Sequence, residues 1–185
     1  MEDLEKRTKW KIHETTRVFD LASFESPLPR TGLPKTYFVL RSKPWVNVIP
    51  ITKEGKVVLV RQFRHGVCQM SLELPGGIVD EEGPNGPRIS AERELREETG
   101  YTAPHFELFL KLSGNPASFT NWSYSFLAKE STLTHPTEFD EGEEIEVVLA
   151  SLEEVAEFIN SGEIHHPHMV AVLSTYMYRQ WRNRV

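Results

Sequence analysis

The stretch Leu74 to Tyr101, LPGGIVDEEGPNGPRISAERELREETGY, constrains this chain more than any other. A strand ends at Leu74 and is broken by Pro75, Gly76 and Gly77. A polar turn follows, and then a helix carries Arg93, Glu94, Arg96, Glu97 and Glu98 to a Thr99-Gly100 stop. On that helix Glu94, Glu97 and Glu98 stand at i, i+3 and i+4, so the three carboxylates share one face within a turn of each other. Like charges that close repel unless something neutralises them. A hard divalent cation such as Mg2+ does so through oxygen ligands and would also hold substrate phosphates. A solvated helix laced with i,i+4 ion pairs has a similar composition, and the REL-REE string alone does not separate the two.

The complete run does separate them. Its double glycine, Arg-Glu-Leu, Glu-Glu and Thr-Gly stop, in one order, resemble the Nudix box of hydrolases that split nucleoside diphosphates linked to another group. Gly77, Arg93, Glu94, Leu95, Glu97, Glu98, Gly100 and Tyr101 match that pattern. Two features depart from it. Asn85 stands where the pattern has a glutamate, eight residues before the arginine, and the Gly77 to Arg93 interval is two residues longer than usual. Either Glu81 or Glu82 takes over the missing carboxylate, or the contact that braces the loop and the arginine is lost. The resemblance implies two or three Mg2+ or Mn2+ ions held by Glu94, Glu97 and Glu98 beside Gly77, with Arg93 bracing the loop.

The 185-residue length suits one main domain, and 39% hydrophobic with 26% charged residues is ordinary for a globular chain. The net charge of −6 argues against a nucleic-acid-binding surface. The lone Cys68 excludes an internal disulfide, fits a reducing cytoplasm and reads as a buried small hydrophobe. The charged start MEDLEKRTKWKIHE has no apolar core and is no signal peptide, and no stretch has the length of a membrane span.

Residues 10–20 partly alternate as a strand does. Residues 22–35, with Pro27, Pro29, Gly32 and Pro34, read as a loop, and Thr36 to Arg41 as a second strand. Residues 1–43 therefore form a β extension with too little apolar material to fold alone, and residues 44–185 form the main domain. From Pro44 to Phe63 the pattern is strand, turn, strand, and VLVRQFRHGV followed by SLELPGG resembles the ADP-ribose pyrophosphatase branch of the family. In that branch such an extension builds a homodimer. The alternative is an extra sheet folded onto a monomer.

By the same resemblance Arg64 touches the substrate diphosphate, a task suited to a planar guanidinium. An ordinary surface ion pair is the competing reading. Arg41 is a weaker candidate of the same kind. Asn115 and Pro116 lie in a loop, LSGNPASFTN, that resembles the pocket-shaping segment of the branch, between strands at 106–112 and 122–128. Trp45, with Trp10 and Phe19, could stack on a base or simply pack. The acidic run FDEGEEIEVV resembles the loop that supplies a glutamate to orient or deprotonate the attacking water, which points to Glu141 or Glu143.

Ser151 and Glu154 form a capping box for a helix ending at Gly162, and a last helix begins at Pro167. His165, His166 and His168 read as polar residues ahead of that helix rather than a transition-metal site. Strand and helix order give an α/β/α sandwich with a mixed sheet, as the Nudix resemblance also implies.

The expected reaction is hydrolysis of the pyrophosphate bond of a nucleoside diphosphate sugar, ADP-ribose foremost, yielding AMP and ribose 5-phosphate. GDP-mannose or a broad range of such sugars is the alternative within the class. A nucleotide-binding domain without turnover is the alternative outside it, against which stand the three intact helix glutamates.

Overall fold

The computed structural model describes residues 9–139 and 144–183. In chain order the elements are β1 (Lys11–Thr15), β2 (Asp20–Pro27), β3 (Pro34–Arg41), β4 (Trp45–Thr52), β5 (Val57–Arg64), β6 (Gln69–Glu73), α1 (Gly86–Thr99), β7 (Tyr101–Thr102), β8 (His105–Ser113), β9 (Trp122–Leu133), β10 (Ile145–Ala150), α2 (Leu152–Ser161) and α3 (Pro167–Arg182). Two compact units result, one made of the chain up to Lys43 with Ser113–Trp122, the other of Pro44–Leu112 with Ser123–Val185.

In the first unit β1, β2 and β3 form an antiparallel sheet in chain order. The expected loop over 22–35 is corrected here: β2 runs on to Pro27, and only the residues between Pro27 and Pro34 turn. Pro27 and Pro34 face each other at the turn end of the ladder, where a residue without an N–H costs little, and Leu28 closes the turn through backbone bonds to Leu33 and Gly32.

The second unit holds the mixed seven-stranded sheet. Its main path is β10-β5-β4-β9-β7, with β6 joined to β5 and β8 to β9. β4 and β9 run parallel, aligning Val46 with Tyr124 and Val48 with Phe126, while β5 pairs antiparallel with β4, β6 and β10. Alternation along β4 divides the core. Val46 and Val48 meet Ala91 and Leu95 of α1 on one face. Ile49, with Leu59, Leu72 and Leu74, meets Val155 of α2 and Met169, Val172, Leu173 and Tyr176 of α3 on the other. This is an α/β/α sandwich. Among the described residues no helix is long and apolar enough to cross a membrane.

Each helix end has a local cause. Ser151 accepts from the Glu154 amide while Glu154 reaches back to the Ser151 amide, so α2 starts at a complete capping box. Gly100 (φ 74) and Gly162 (φ 83) end α1 and α2 in the left-handed conformation. Cys68 corrects a second expectation. It is exposed, at φ 52 in the β5–β6 turn, where its thiol meets the His65 carbonyl at 3.3 Å instead of packing inside.

Candidate active site

After β6 the chain does not leave the sheet. Pro75, Gly77 and Val79 continue alongside β4 through Val48 N to Pro75 O (2.9 Å), the reciprocal Val46–Gly77 pair (2.9 and 3.1 Å) and Val79 N to Pro44 O (2.9 Å). The glycines make this approach possible. A Cβ at Gly76 would collide with the Val46 carbonyl and the Asn47 backbone, and one at Gly77 would collide with the Glu94 carboxylate.

α1 lies across this segment and presents its acids to it. Glu98, only 5% exposed, accepts the Gly76 N–H at 2.8 Å, which ties helix to turn. One turn earlier, Glu94 abuts Gly77. Arg93 forms ion pairs with Glu97 (2.6 Å) and Glu94 (2.8 Å), and Arg96 bonds Glu97 at 3.2 Å. Burial opposes the charge on Arg93, but the bond to Glu97 and the charges of Glu94 and Glu97 raise its pKa above the ordinary arginine value. The turn acid drawn to Arg93 is Asp80, at 3.8 Å, rather than Glu81 or Glu82. Asn85 sits at the N-cap of α1 without a side-chain cap bond.

The donor set fits a divalent cation. Three carboxylates on one helix stand against the two arginines, Arg93 and Arg96, that bond them, their oxygens are hard donors, and the Cβ-free surface of Gly77 leaves room at Glu94. Among the described residues no closed cage of three acid, histidine or cysteine ligands is preformed.

Arg64 ends β5 and grips Glu73 with a two-pronged bond, Nε to Oε1 and Nη2 to Oε2, both 2.8 Å. Glu73 is fully buried. Burial works against its ionisation, yet the Arg64 hydrogen bonds and charge hold its pKa below the ordinary carboxylate range. Glu73 escaped the sequence reading, although period-2 alternation carried a signal: Leu72 and Leu74 enter one core, so the acid between them must enter the opposite face and need a cation there. Glu138 also went unnoticed; it bonds Arg96 at 3.1 Å and its amide donates to the Glu97 carbonyl.

Of the remaining candidates, Trp45 belongs to the second unit, half-buried, its ring edge-on to His168 at 5.9 Å. Arg41 and Asn115 belong to the first unit. There Arg41 pairs with Asp20 (3.6 Å) and lies over Trp10 (4.9 Å), while the Asn115 side chain accepts the Ala117 amide. His166 caps α3 by accepting the His168 amide at 3.2 Å, which accounts for part of the histidine cluster. Glu141 and Glu143 lie outside the described residues.

The model of the NUDIX domain matches residues 41–173. An ADP-ribose pyrophosphatase of Bacillus subtilis is 33% identical over 167 residues, 89% of each chain. A methanol dehydrogenase activator of Bacillus methanolicus is 30% identical over 87% of this chain and 86% of its own. Among solved structures, an ADP compounds hydrolase superposes with a TM-score of 0.76 over 94% of this chain and 91% of its own, at 22% identity, which bears on the fold.

Proposed function

Because the chain belongs to the NUDIX family and is a pyrophosphohydrolase, we propose that it hydrolyses nucleoside diphosphate sugars with Mg2+ or Mn2+, ADP-ribose foremost, to AMP and ribose 5-phosphate. The observation that carries this reading is the row of Glu94, Glu97 and Glu98 locked onto the Gly76-Gly77 turn by the Glu98 to Gly76 bond. The ADP-ribose preference leans on the B. subtilis relative.

Glu94, Glu97 and Glu98 would hold the cations, with the Gly77 backbone beside them. A divalent metal bound there would neutralise the diphosphate and favour deprotonation of water. Arg64 binds the diphosphate oxygens and Arg93 keeps the three acids in register. Water attacks one phosphorus, the bridging oxygen leaves with the other, and Glu141 or Glu143 takes the water proton. Arg41, Trp45 and Asn115 are assigned to the remainder of the substrate. The working form is a homodimer built by the β extension of residues 1–43, in the cytoplasm.

The test is phosphate release, after coupled phosphatase, from ADP-ribose, GDP-mannose and other nucleoside diphosphate sugars, with and without Mg2+. We expect metal-dependent turnover highest on ADP-ribose. Glu97→Gln and Glu98→Gln should each lose on the order of 100-fold in kcat, since a metal supplies several kcal/mol to such a transition state. Near wild-type turnover of either variant at saturating Mg2+ would remove the metal assignment. GDP-mannose as the preferred substrate would replace the sugar assignment.

A further inference from the structure

We propose that Glu73 is a positioning residue, whose buried carboxylate fixes the plane of the Arg64 guanidinium so that it meets a substrate diphosphate already oriented. The proposal rests on the assignment of Arg64 to the diphosphate made above.

The pair is asymmetric in a way that ordinary surface ion pairs are not. The Arg64 side chain is 44% exposed and that of Glu73 only 1%. Lys56–Glu154 and Arg88–Glu92, by contrast, leave both partners exposed to similar extents, at 44% with 50% and 52% with 43%. One partner of Arg64 is thus set rigidly inside the fold while the arginine itself reaches solvent. The anchor cannot drift. Glu73 lies opposite Val60 in the β5–β6 ladder, between Leu72 and Leu74, both fully or almost fully buried.

A carboxylate in that position is a poor way to stabilise a hairpin. Its desolvation offsets most of what the ion pair returns, and an apolar residue of similar volume would serve folding as well or better. What the carboxylate does supply is geometry. Two parallel bonds of 2.8 Å fix both the position and the plane of the guanidinium, which a single bond or a point charge does not. The guanidinium has five N–H donors in a rigid fork, and the bonds to Glu73 use the Nε edge and Nη2. A long arginine side chain otherwise loses much rotamer freedom on binding an anion, and holding it beforehand removes that loss from the binding step. A competing effect, the Glu73 charge weakening the pull of Arg64 on phosphate, runs the other way. The two effects predict opposite shifts in KM.

The experiment is steady-state kinetics of the full chain on ADP-ribose with Mg2+, for wild type, Glu73→Gln, Arg64→Lys, Arg64→Ala and the double variant Arg64→Ala/Glu73→Gln. Gln turns one acceptor of the fork into a donor and breaks one charged bond. KM should rise about ten-fold, the size expected of one charge-assisted hydrogen bond, with kcat changed by less than about three-fold. The double variant should be no worse than Arg64→Ala alone, because Glu73 then has nothing to orient. An unchanged or lowered KM in Glu73→Gln, or additive losses in the double variant, overturns the proposal.

Should Glu73→Gln fail to fold, Arg64→Lys decides. It keeps the charge facing Glu73 but loses the fork, so its KM should rise nearly as far as that of Arg64→Ala, and a wild-type KM overturns the proposal. If wild type cleaves ADP-ribose while Arg64→Ala keeps its KM, this inference falls and the hydrolase assignment stands. Absence of turnover on every nucleoside diphosphate sugar defeats both.

Discussion

Gly76 and Gly77 stand side by side and have different jobs. At Gly76 the space a Cβ would need is filled by the backbone of Val46 and Asn47 in β4, which cannot move without breaking the ladder. Gly76→Ala should therefore destabilise the fold by about 3 kcal/mol, read as a lowered urea midpoint with unchanged slope. At Gly77 the obstacle is the far end of the Glu94 side chain. That end can rotate, so Gly77→Ala should keep a melting temperature close to wild type; on the proposed role of Glu94 in holding the cation, the Mg2+ concentration for half-maximal rate should rise about ten-fold, as is common when the support of a metal ligand is disturbed. Equal Mg2+ dependence in both proteins would show that Glu94 needs no such space. The sequence marks both glycines as part of one signature and does not divide the roles between them. That division depends on which strand lies beneath each residue, and β4 is remote in the chain.

At the scale of elements, the N-termini of α2 and α3 make two predictions. Ser151→Ala removes the capping bond of α2, far from the acidic helix, and should cost about 1 kcal/mol in urea unfolding without altering kcat. At α3 the cap is His166. Burial first, then the charges of His168, Arg64 and His165, lower its pKa below the ordinary histidine value, although Glu73 pulls the other way. The unfolded chain therefore binds a proton at His166 at a higher pH than the folded chain does. Between the depressed folded pKa and about 6.5, stability falls as pH falls. Glu73, whose folded pKa is lowered, loses its contribution only in a more acidic window. His166→Asn keeps an acceptor at the cap and removes the titration, so its stability should fall less steeply from pH 7 to pH 5.5. Parallel curves for the two proteins would exclude His166 as the source. The α2 cap was legible because a capping box is local. The extent of β2 was not, because Pro27, Pro29, Gly32 and Pro34 signal a loop in the chain, and only pairing with β3 shows that Pro27 and Pro34 end strands.

For the whole molecule, sequence order alone pointed to a sandwich around a mixed sheet. The parallel β4–β9 pairing, which joins residues more than seventy positions apart, has no local signature. The acid triad was readable because one helix carries it; the Arg64–Glu73 pair was only half readable because its members lie on two strands. The first unit now adds a reason of its own for a partner. Among its described residues the fully buried apolar side chain is Ala22, while Ile12 (43%), Val18 (52%), Leu33 (62%) and Phe38 (61%) stand exposed. By register Ile12 aligns with Ala22 and Val39, and Phe38 with Ser23 and Lys11, so the two point to opposite faces of the sheet; in the homodimer proposed above a second copy would cover the Phe38 face. Light scattering at micromolar concentration should accordingly give about twice the 21.3 kDa chain mass. Phe38→Glu, which places a charge on the Phe38 face, should shift the mass toward one chain and raise the dimer dissociation constant at least about ten-fold, as one desolvated charge in an apolar contact implies. A wild-type mass of one chain at that concentration would remove the dimer, and an unshifted Phe38→Glu would move the interface to another face.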